Sequence, residues 1–141
     1  MERISFLNGQ FLPHNQCFVH IEDRGFQFSD GVYEVILLKN ARLIDADWHL
    51  QRLFRSLGEL KINFEQNENW LQKTILELFA KNNLSDGTVY LQITRGVSPR
   101  QQGFPKNYTP TIAITVSPLK NNIENAKENA KENGLTVITH K

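Results

Sequence analysis

Hydrophobic and polar residues alternate along three stretches of the chain, and a two-residue period predicts β-strands. These stretches are 32–38, 88–95 and 111–116. In the first stretch, alternation places Tyr33 on the same face as Val35 and Leu37, with Glu34 on the opposite face. Because the stretch consists almost entirely of strand-forming residues, we expect it to be a buried strand.

Shorter strands are predicted on either side of that stretch. Residues 3–12 are typical of a hairpin, because the Asn-Gly pair near their centre is a strong signal for a type I′ turn. Residues 42–44 are expected to return as the hairpin partner of the strand at 32–38. A further short strand is predicted over 17–21.

Apolar residues recur at three- and four-residue spacing in two other stretches, which predicts two amphipathic helices. The first begins after Asp45 or Asp47, since either aspartate can cap a helix, and the second runs over 67–83. The predicted apolar stripes are Leu50, Leu53, Phe54, Leu57 and Leu60 in the first helix, and Leu71, Ile75, Leu78 and Phe79 in the second. This mixture of helices and strands predicts an α+β fold.

Composition narrows the class of protein without identifying it. The 141 residues are 40% hydrophobic and 22% charged, as in an ordinary soluble globular domain, and the net charge of +1 gives no sign of nucleic-acid or membrane binding. Cys17 is the sole cysteine, so an internal disulfide is excluded, and a cytoplasmic location is expected. No set of residues has the spacing of a metal site or a nucleophile triad.

Three segments carry candidate chemistry, each with an ordinary structural alternative. Tyr33 follows a glycine-hinged loop, and it is either a site residue or the core tyrosine of a bulged hairpin. Arg52 lies with two other basic residues on one helical edge, and it either binds a phosphate or belongs to a solvated face. Arg95 and Arg100 lie in a loop after a strand, and Arg100 is either a carboxylate clamp or a solvated surface residue.

Three local motifs together resemble the class IV, pyridoxal-phosphate-dependent aminotransferases. Residues 22–34 read Glu-Asp-Arg-Gly-Phe-Gln-Phe-Ser-Asp-Gly-Val-Tyr-Glu, which resembles the signature of that family. Residues 49–53 read His-Leu-Gln-Arg-Leu, which is similar to its His-x-x-Arg-Leu helix. Residues 94–105 read Thr-Arg-Gly-Val-Ser-Pro-Arg-Gln-Gln-Gly-Phe-Pro, which resembles a loop of the D-amino acid (D-alanine) aminotransferase branch.

The resemblance implies a fold and a set of roles. The fold would be the small two-layer α/β sandwich that forms the N-terminal domain of a fold-type IV enzyme, with pyridoxal 5′-phosphate bound between two domains of a homodimer. Tyr33 and Arg100 would bind the substrate carboxylate, and Arg52 would bind the cofactor phosphate. Gln102 departs from the branch, which has a histidine there, and a glutamine cannot carry positive charge.

The resemblance also implies a division of the chain. Residues 1–120 would form the N-terminal domain, 121–134 a linker or short polar helix built on a repeated Glu-Asn-Ala-Lys unit, and 135–141 the start of a C-terminal domain. The family's Schiff-base lysine would fall beyond Lys141, so no catalytic residue of that type is assigned here. We therefore expect the parent protein to be the enzyme and this chain alone to be inactive.

Three functions remain open from the sequence. The favoured one is a D-amino acid aminotransferase that converts D-alanine and 2-oxoglutarate to pyruvate and D-glutamate. The second is an enzyme of the same fold that resembles aminodeoxychorismate lyase or a branched-chain aminotransferase, against which the Ser-Pro-Arg loop argues. The third is a non-catalytic domain that folds alone and binds a partner. All three predict small molecules or proteins as ligands, with no nucleic acid and no membrane.

Overall fold

The computed structural model describes residues 2–119 together with Lys131 and Gly134. It contains both the strands and the helices that the sequence patterns predict, with local differences given below. The strands are β1 (Ile4–Leu7), β2 (Gln10–Pro13), β3 (Gly31–Lys39), β4 (Arg42–Leu43), β5 (Gly87–Thr94) and β6 (Thr111–Pro118). The helices are α1 (Arg24–Phe28), α2 (Ala46–Glu59) and α3 (Glu68–Lys81), with a 3-10 turn at His14–Gln16.

The six strands form one sheet in the order β2-β1-β6-β5-β3-β4, and every pairing in it is antiparallel. The β3–β5 pairing is continuous from Gly31 opposite Thr94 to Leu38 opposite Gly87. As a result, the start of β3 lies beside the end of β5. This register brings the loop before β3 and the loop after β5 to the same end of the sheet.

Helices α2 and α3 pack on one face of the sheet, and the hydrophobic core lies between the two layers. The predicted helical stripes are buried in that core, apart from Phe54, which is half-buried, and Leu60, which follows the end of α2 and is exposed. The sheet contributes Phe6, Ile36, Leu38, Val89, Leu91, Ile93, Ile112, Ile114 and Val116. The predicted α+β, two-layer architecture is confirmed.

The opposite face of the sheet is open in the described part of the chain. Tyr33 is 65% exposed, and Val35 and Leu37 are also exposed, while the alternate residues of β3 are buried under the helices. The prediction that this strand is buried is therefore wrong for half of its residues, and Tyr33 is not a core tyrosine. The reason is that the helical layer covers only one of the two faces that alternation creates.

Two local predictions differ from the structure. Residues 17–21 form no strand: residues 17–20 are irregular, and a turn at 21–22 follows, in which the amide of Asp23 donates to the carbonyl of His20. The loop before β3 contains the one-turn helix α1, which the sequence did not predict. Asp23 caps this helix by accepting a 2.8 Å hydrogen bond from the amide of Gly25.

Turns and caps mostly agree with the predictions. Asn8 and Gly9 both have positive φ, at 47° and 92°, as the predicted type I′ hairpin requires. Asn67 caps α3 by accepting from the amide of Trp70. Asp45 occupies the cap position of α2 but makes no capping bond, and Asp47 instead accepts a 2.9 Å bond from Gln72 of α3.

The predicted linker over 121–134 and the predicted strand over 135–141 lie outside the described residues, except for Lys131 and Gly134. The division of the chain at residue 120 therefore stays a prediction. Among the helices that the structure describes, none has the length and apolarity to span a bilayer. Residues 2–119 bring together no cluster of three metal-ligating side chains.

Candidate functional site

Glu34 is a buried carboxylate on the helix-covered face of β3, and two basic residues of α2 bind it. The Nε and Nη2 atoms of Arg52 donate to its two oxygens at 2.6 Å each. Its Oε2 also lies 2.8 Å from the Nδ1 atom of His49. The contact forms because α2 crosses β3 with residues 49 and 52 on one helical edge. Glu34 is only 3% exposed, so its charge needs these partners.

The charges in this group reinforce one another. The hydrogen bonds and positive charge of Arg52 lower the pKa of Glu34, with help from His49 and against the opposing effect of burial. In turn, the hydrogen bonds from Arg52 to Glu34 raise the pKa of the Arg52 guanidinium, and the neighbouring Tyr33 acts in the same direction. The pair is therefore a carboxylate and a guanidinium at neutral pH, with the arginine held in one orientation.

Arg52 keeps donor capacity beyond its contact with Glu34. Its side chain is 58% exposed, and no residue within 2–119 accepts a hydrogen bond from its Nη1 atom. An open groove of about 560 Å³ runs along α2 beside it, with Trp48 and Arg55 in its wall. A fixed guanidinium with a free edge at an open groove can bind an anion such as a phosphate group.

A second charged group lies where β3 begins and β5 ends. Asp30 is 8% exposed, and its carboxylate accepts bonds from Arg24 Nε at 2.7 Å, Arg95 Nε at 2.8 Å and Arg95 Nη2 at 3.0 Å. Burial alone would raise the pKa of Asp30, but the hydrogen bonds and charges of Arg95 and Arg24 lower it overall. Arg95 also donates to the carbonyls of Leu60 and Lys61 at the end of α2.

This cluster joins the loop at 96–105 to the segment before β3. The amide of Arg24 donates to the carbonyl of Gly96 at 2.9 Å, and Asp23 forms an isolated β-bridge with Val97. Gly96 has a φ of +92°, and a side chain there would collide with the backbone of Thr109, so the loop needs glycine at this position. The first and third sequence motifs therefore form one structural unit.

The predicted site residues occupy two places. Tyr33 lies on the open face of the sheet, stacked on Tyr90 with ring centroids 5.8 Å apart, and it contributes to the raised pKa of Arg52. Arg100 and Gln102 are exposed in the loop at 96–105, with Arg100 over the ring of Phe28. Within residues 2–119, no hydrogen bond or ion pair joins Arg100 to Tyr33 or Arg52.

The sequence did not single out Glu34, Arg24 or Asp30 as site-building residues. Glu34 carried a usable signal, because alternation placed a carboxylate on the buried face of a strand, and a buried charge requires a partner. Arg24 and Asp30 gave no comparable signal, since both lie in a segment that looked like a loop. Their burial depends on Arg95, which is 65 residues from Asp30 in the sequence.

Comparison with known proteins establishes the family. Residues 31–141 match the family described as amino-transferase class IV. The chain therefore belongs to the class IV aminotransferases. One relative is the D-alanine aminotransferase of Bacillus licheniformis, which is 40% identical to it over 113 residues. That alignment covers 80% of this chain and 40% of the relative, so the chain spans about two-fifths of the relative's length.

Solved structures share the fold of the described residues. The branched-chain amino acid aminotransferase of Escherichia coli has a TM-score of 0.78 at 20% identity, over 84% of this chain and 42% of that one. The 4-amino-4-deoxychorismate lyase of Pseudomonas aeruginosa has a TM-score of 0.68 at 24% identity, over 81% of this chain and 39% of that one. At these identities the likeness shows the fold alone, which a transaminase and a lyase share.

Proposed function

We propose that this chain is the N-terminal part of a pyridoxal-phosphate-dependent D-amino acid aminotransferase. The complete enzyme would convert D-alanine and 2-oxoglutarate to pyruvate and D-glutamate as a cytoplasmic homodimer. The supporting comparison is the 40% identity to a D-alanine aminotransferase over four-fifths of the chain. The supporting sequence feature is the Ser-Pro-Arg loop ending at Arg100, which resembles the D-amino acid branch.

The observation that carries the cofactor assignment is the Glu34–Arg52 pair. Two bonds to a buried carboxylate fix the guanidinium of Arg52, so little conformational entropy remains to be lost when it binds an anion. Its exposed edge is the proposed donor to the cofactor phosphate. Pyridoxal phosphate, when bound, supplies an aldehyde for the amino group and an aromatic ring that stabilises negative charge at the substrate α-carbon.

The substrate carboxylate is assigned to Tyr33, Arg100 and Gln102. A guanidinium offers two parallel donors to a carboxylate, and a tyrosine hydroxyl and a glutamine amide offer one further donor each. Gln102 adds no positive charge, so Arg100 would supply the charge of this clamp. Arg52 and Arg100 lie in separate places because they bind different anions. We assign Arg52 to the cofactor phosphate and Arg100 to the substrate carboxylate.

The proposal includes the division of the chain stated above. Residues 1–120 form the N-terminal domain, 121–134 connect the domains, and 135–141 begin the C-terminal domain. The lysine that bonds the cofactor in this family is assigned to the remaining part of the parent protein. The alignment covers only 40% of the length of the Bacillus licheniformis relative, which is consistent with that assignment.

The test is a transamination assay of the complete protein that contains this chain, with D-alanine and L-alanine side by side and 2-oxoglutarate as acceptor. We expect pyruvate from D-alanine only, and none from the 141-residue chain with added cofactor. Pyruvate from aminodeoxychorismate instead would identify the lyase. Turnover by the 141-residue chain itself would contradict the assignment of the essential lysine to the remaining part.

A further inference from the structure

Guanidinium groups and aromatic rings alternate in a continuous stack that includes residues of the loop at 96–105. We call it the arginine–aromatic stack, and its members in order are Arg100, Phe28, Arg24, Phe104, Arg95 and Tyr108. The distances from each Cζ atom to the ring centroid are 5.0, 4.7, 5.6, 4.5 and 5.2 Å along that series. All five distances lie within the range of a cation–π contact.

The inner part of the stack is anchored in the protein interior. Arg24 and Arg95 are 2% and 3% exposed, and both bind the buried carboxylate of Asp30. Arg95 also donates to two backbone carbonyls at the end of α2. Because both guanidinium groups are fixed by several bonds, the ring of Phe28 rests on a rigid base.

Arg24 also fixes the backbone of the loop around Gln102. Its Nη1 atom donates to the carbonyl oxygen of Gln101 at 3.1 Å and of Gly103 at 3.4 Å. Gln102 lies between these two residues, so its Cα position is set from both sides. Arg24 therefore holds the loop main chain, while Phe28 supplies a surface for the Arg100 side chain.

We propose that Phe28 and Arg24 are positioning residues that preorganise Arg100 and Gln102 for the substrate carboxylate. This inference rests on the proposed function, since it assumes that Arg100 binds that carboxylate. An exposed arginine has many rotamers, and ordering it on binding lowers affinity. Stacking on Phe28 orders the guanidinium plane beforehand and leaves its N–H edges available to the carboxylate.

The test compares Phe28→Leu with Phe28→Tyr in the complete enzyme, with Phe26→Leu as the matched control. Phe26 lies in the same short helix, is exposed and makes no cation–π contact within residues 2–119. We expect Phe28→Leu to raise KM for D-alanine about two- to fivefold, the scale of an exposed cation–π contact, without changing kcat. Phe28→Tyr and Phe26→Leu should retain the wild-type KM.

A second measurement reports the stack without using activity. In the 141-residue chain, the ring of Phe28 should shift the side-chain NMR signals of Arg100 upfield, and Phe28→Leu should abolish that shift. Loss of the shift together with a raised KM would support the inference. An unchanged KM in an active Phe28→Leu enzyme would overturn the inference alone. A wild-type enzyme with no activity on D-alanine would overturn the proposed function and this inference with it.

Discussion

Asp30→Asn is the substitution that most directly probes how the two loops are joined. The Asp30 carboxylate accepts three hydrogen bonds, at 2.7, 2.8 and 3.0 Å, from two arginines that are themselves buried. No other carboxylate within residues 2–119 forms an ion pair with either arginine. Asparagine keeps one acceptor oxygen, but its amide group would face an arginine donor, and both guanidinium groups would lose their counter-charge.

The magnitude follows from the cost of breaking a buried ion pair. Removing one partner of such a pair typically costs about 3–5 kcal/mol, because an uncompensated charge remains buried. Total stabilities of small domains are about 5–15 kcal/mol, so the substitution should remove a large share of the free energy of unfolding. We expect a loss of about 3 kcal/mol or more for Asp30→Asn.

Urea unfolding of the 141-residue chain, followed by tryptophan fluorescence, measures this loss. Trp70 is a suitable reporter because it packs edge-to-face against Phe6 in the described fold. Glu77→Gln is the matched control, since Glu77 forms an exposed i,i+4 pair with Lys81 and such pairs contribute little. If Asp30→Asn lowered the urea midpoint no more than Glu77→Gln does, the buried cluster would not hold the loops together as argued.

Three further predictions concern stability. A Cβ at position 31 would lie 2.7 Å from the carbonyl oxygen of Ile93, so Gly31→Ala should lower the free energy of unfolding by about 1–3 kcal/mol, measured as a lower urea midpoint. A Cβ at position 58 meets nothing within 4 Å in a helix, so Gly58→Ala should raise stability by about 0.5–1 kcal/mol, and the reverse order would contradict the packing. The native pKa values of Asp30 and Glu34 are lowered, so the stability that they contribute is present above their unfolded pKa values of about 4 and is lost as pH falls towards the native values. Urea midpoints measured from pH 7 to pH 2 should fall steeply at the acid end for the wild type and less steeply for Asp30→Asn, and parallel curves would refute this.

The sequence predicted the layers of this fold because local periodicity determines them. Alternation assigned Val89, Leu91 and Ile93 to one face of a strand, and the structure buries all three under the helices. The same alternation assigned Tyr33 and Glu34 to opposite faces correctly. It did not show which face the helical layer would cover, because that depends on packing between elements far apart in the chain.

The contacts that build the candidate sites depend on long-range packing, which a single sequence does not specify. Arg24 meets the carbonyl of Gln101 across 77 residues, and Arg52 meets Glu34 across 18. The strand predicted over 17–21 failed for a related reason, since an apolar run becomes a strand only when it pairs with another strand, and a single sequence does not specify that pairing. Motif resemblance supplied Arg52 and Arg100, but the acidic residues that hold the arginines emerged only from the fold.

The proposal that Arg52 binds the cofactor phosphate can be tested directly by comparing cofactor binding with and without this side chain. Arg52→Ala in the complete enzyme should weaken binding of pyridoxal phosphate about ten- to a hundredfold, the scale of a charged hydrogen bond, and leave binding of pyridoxal, which lacks the phosphate, unchanged. Lys73→Ala removes an exposed cation of α3 that lies outside the groove beside Arg52, so it is the control and should change neither. Equal losses for both ligands, or an equal effect of Lys73→Ala, would contradict the account.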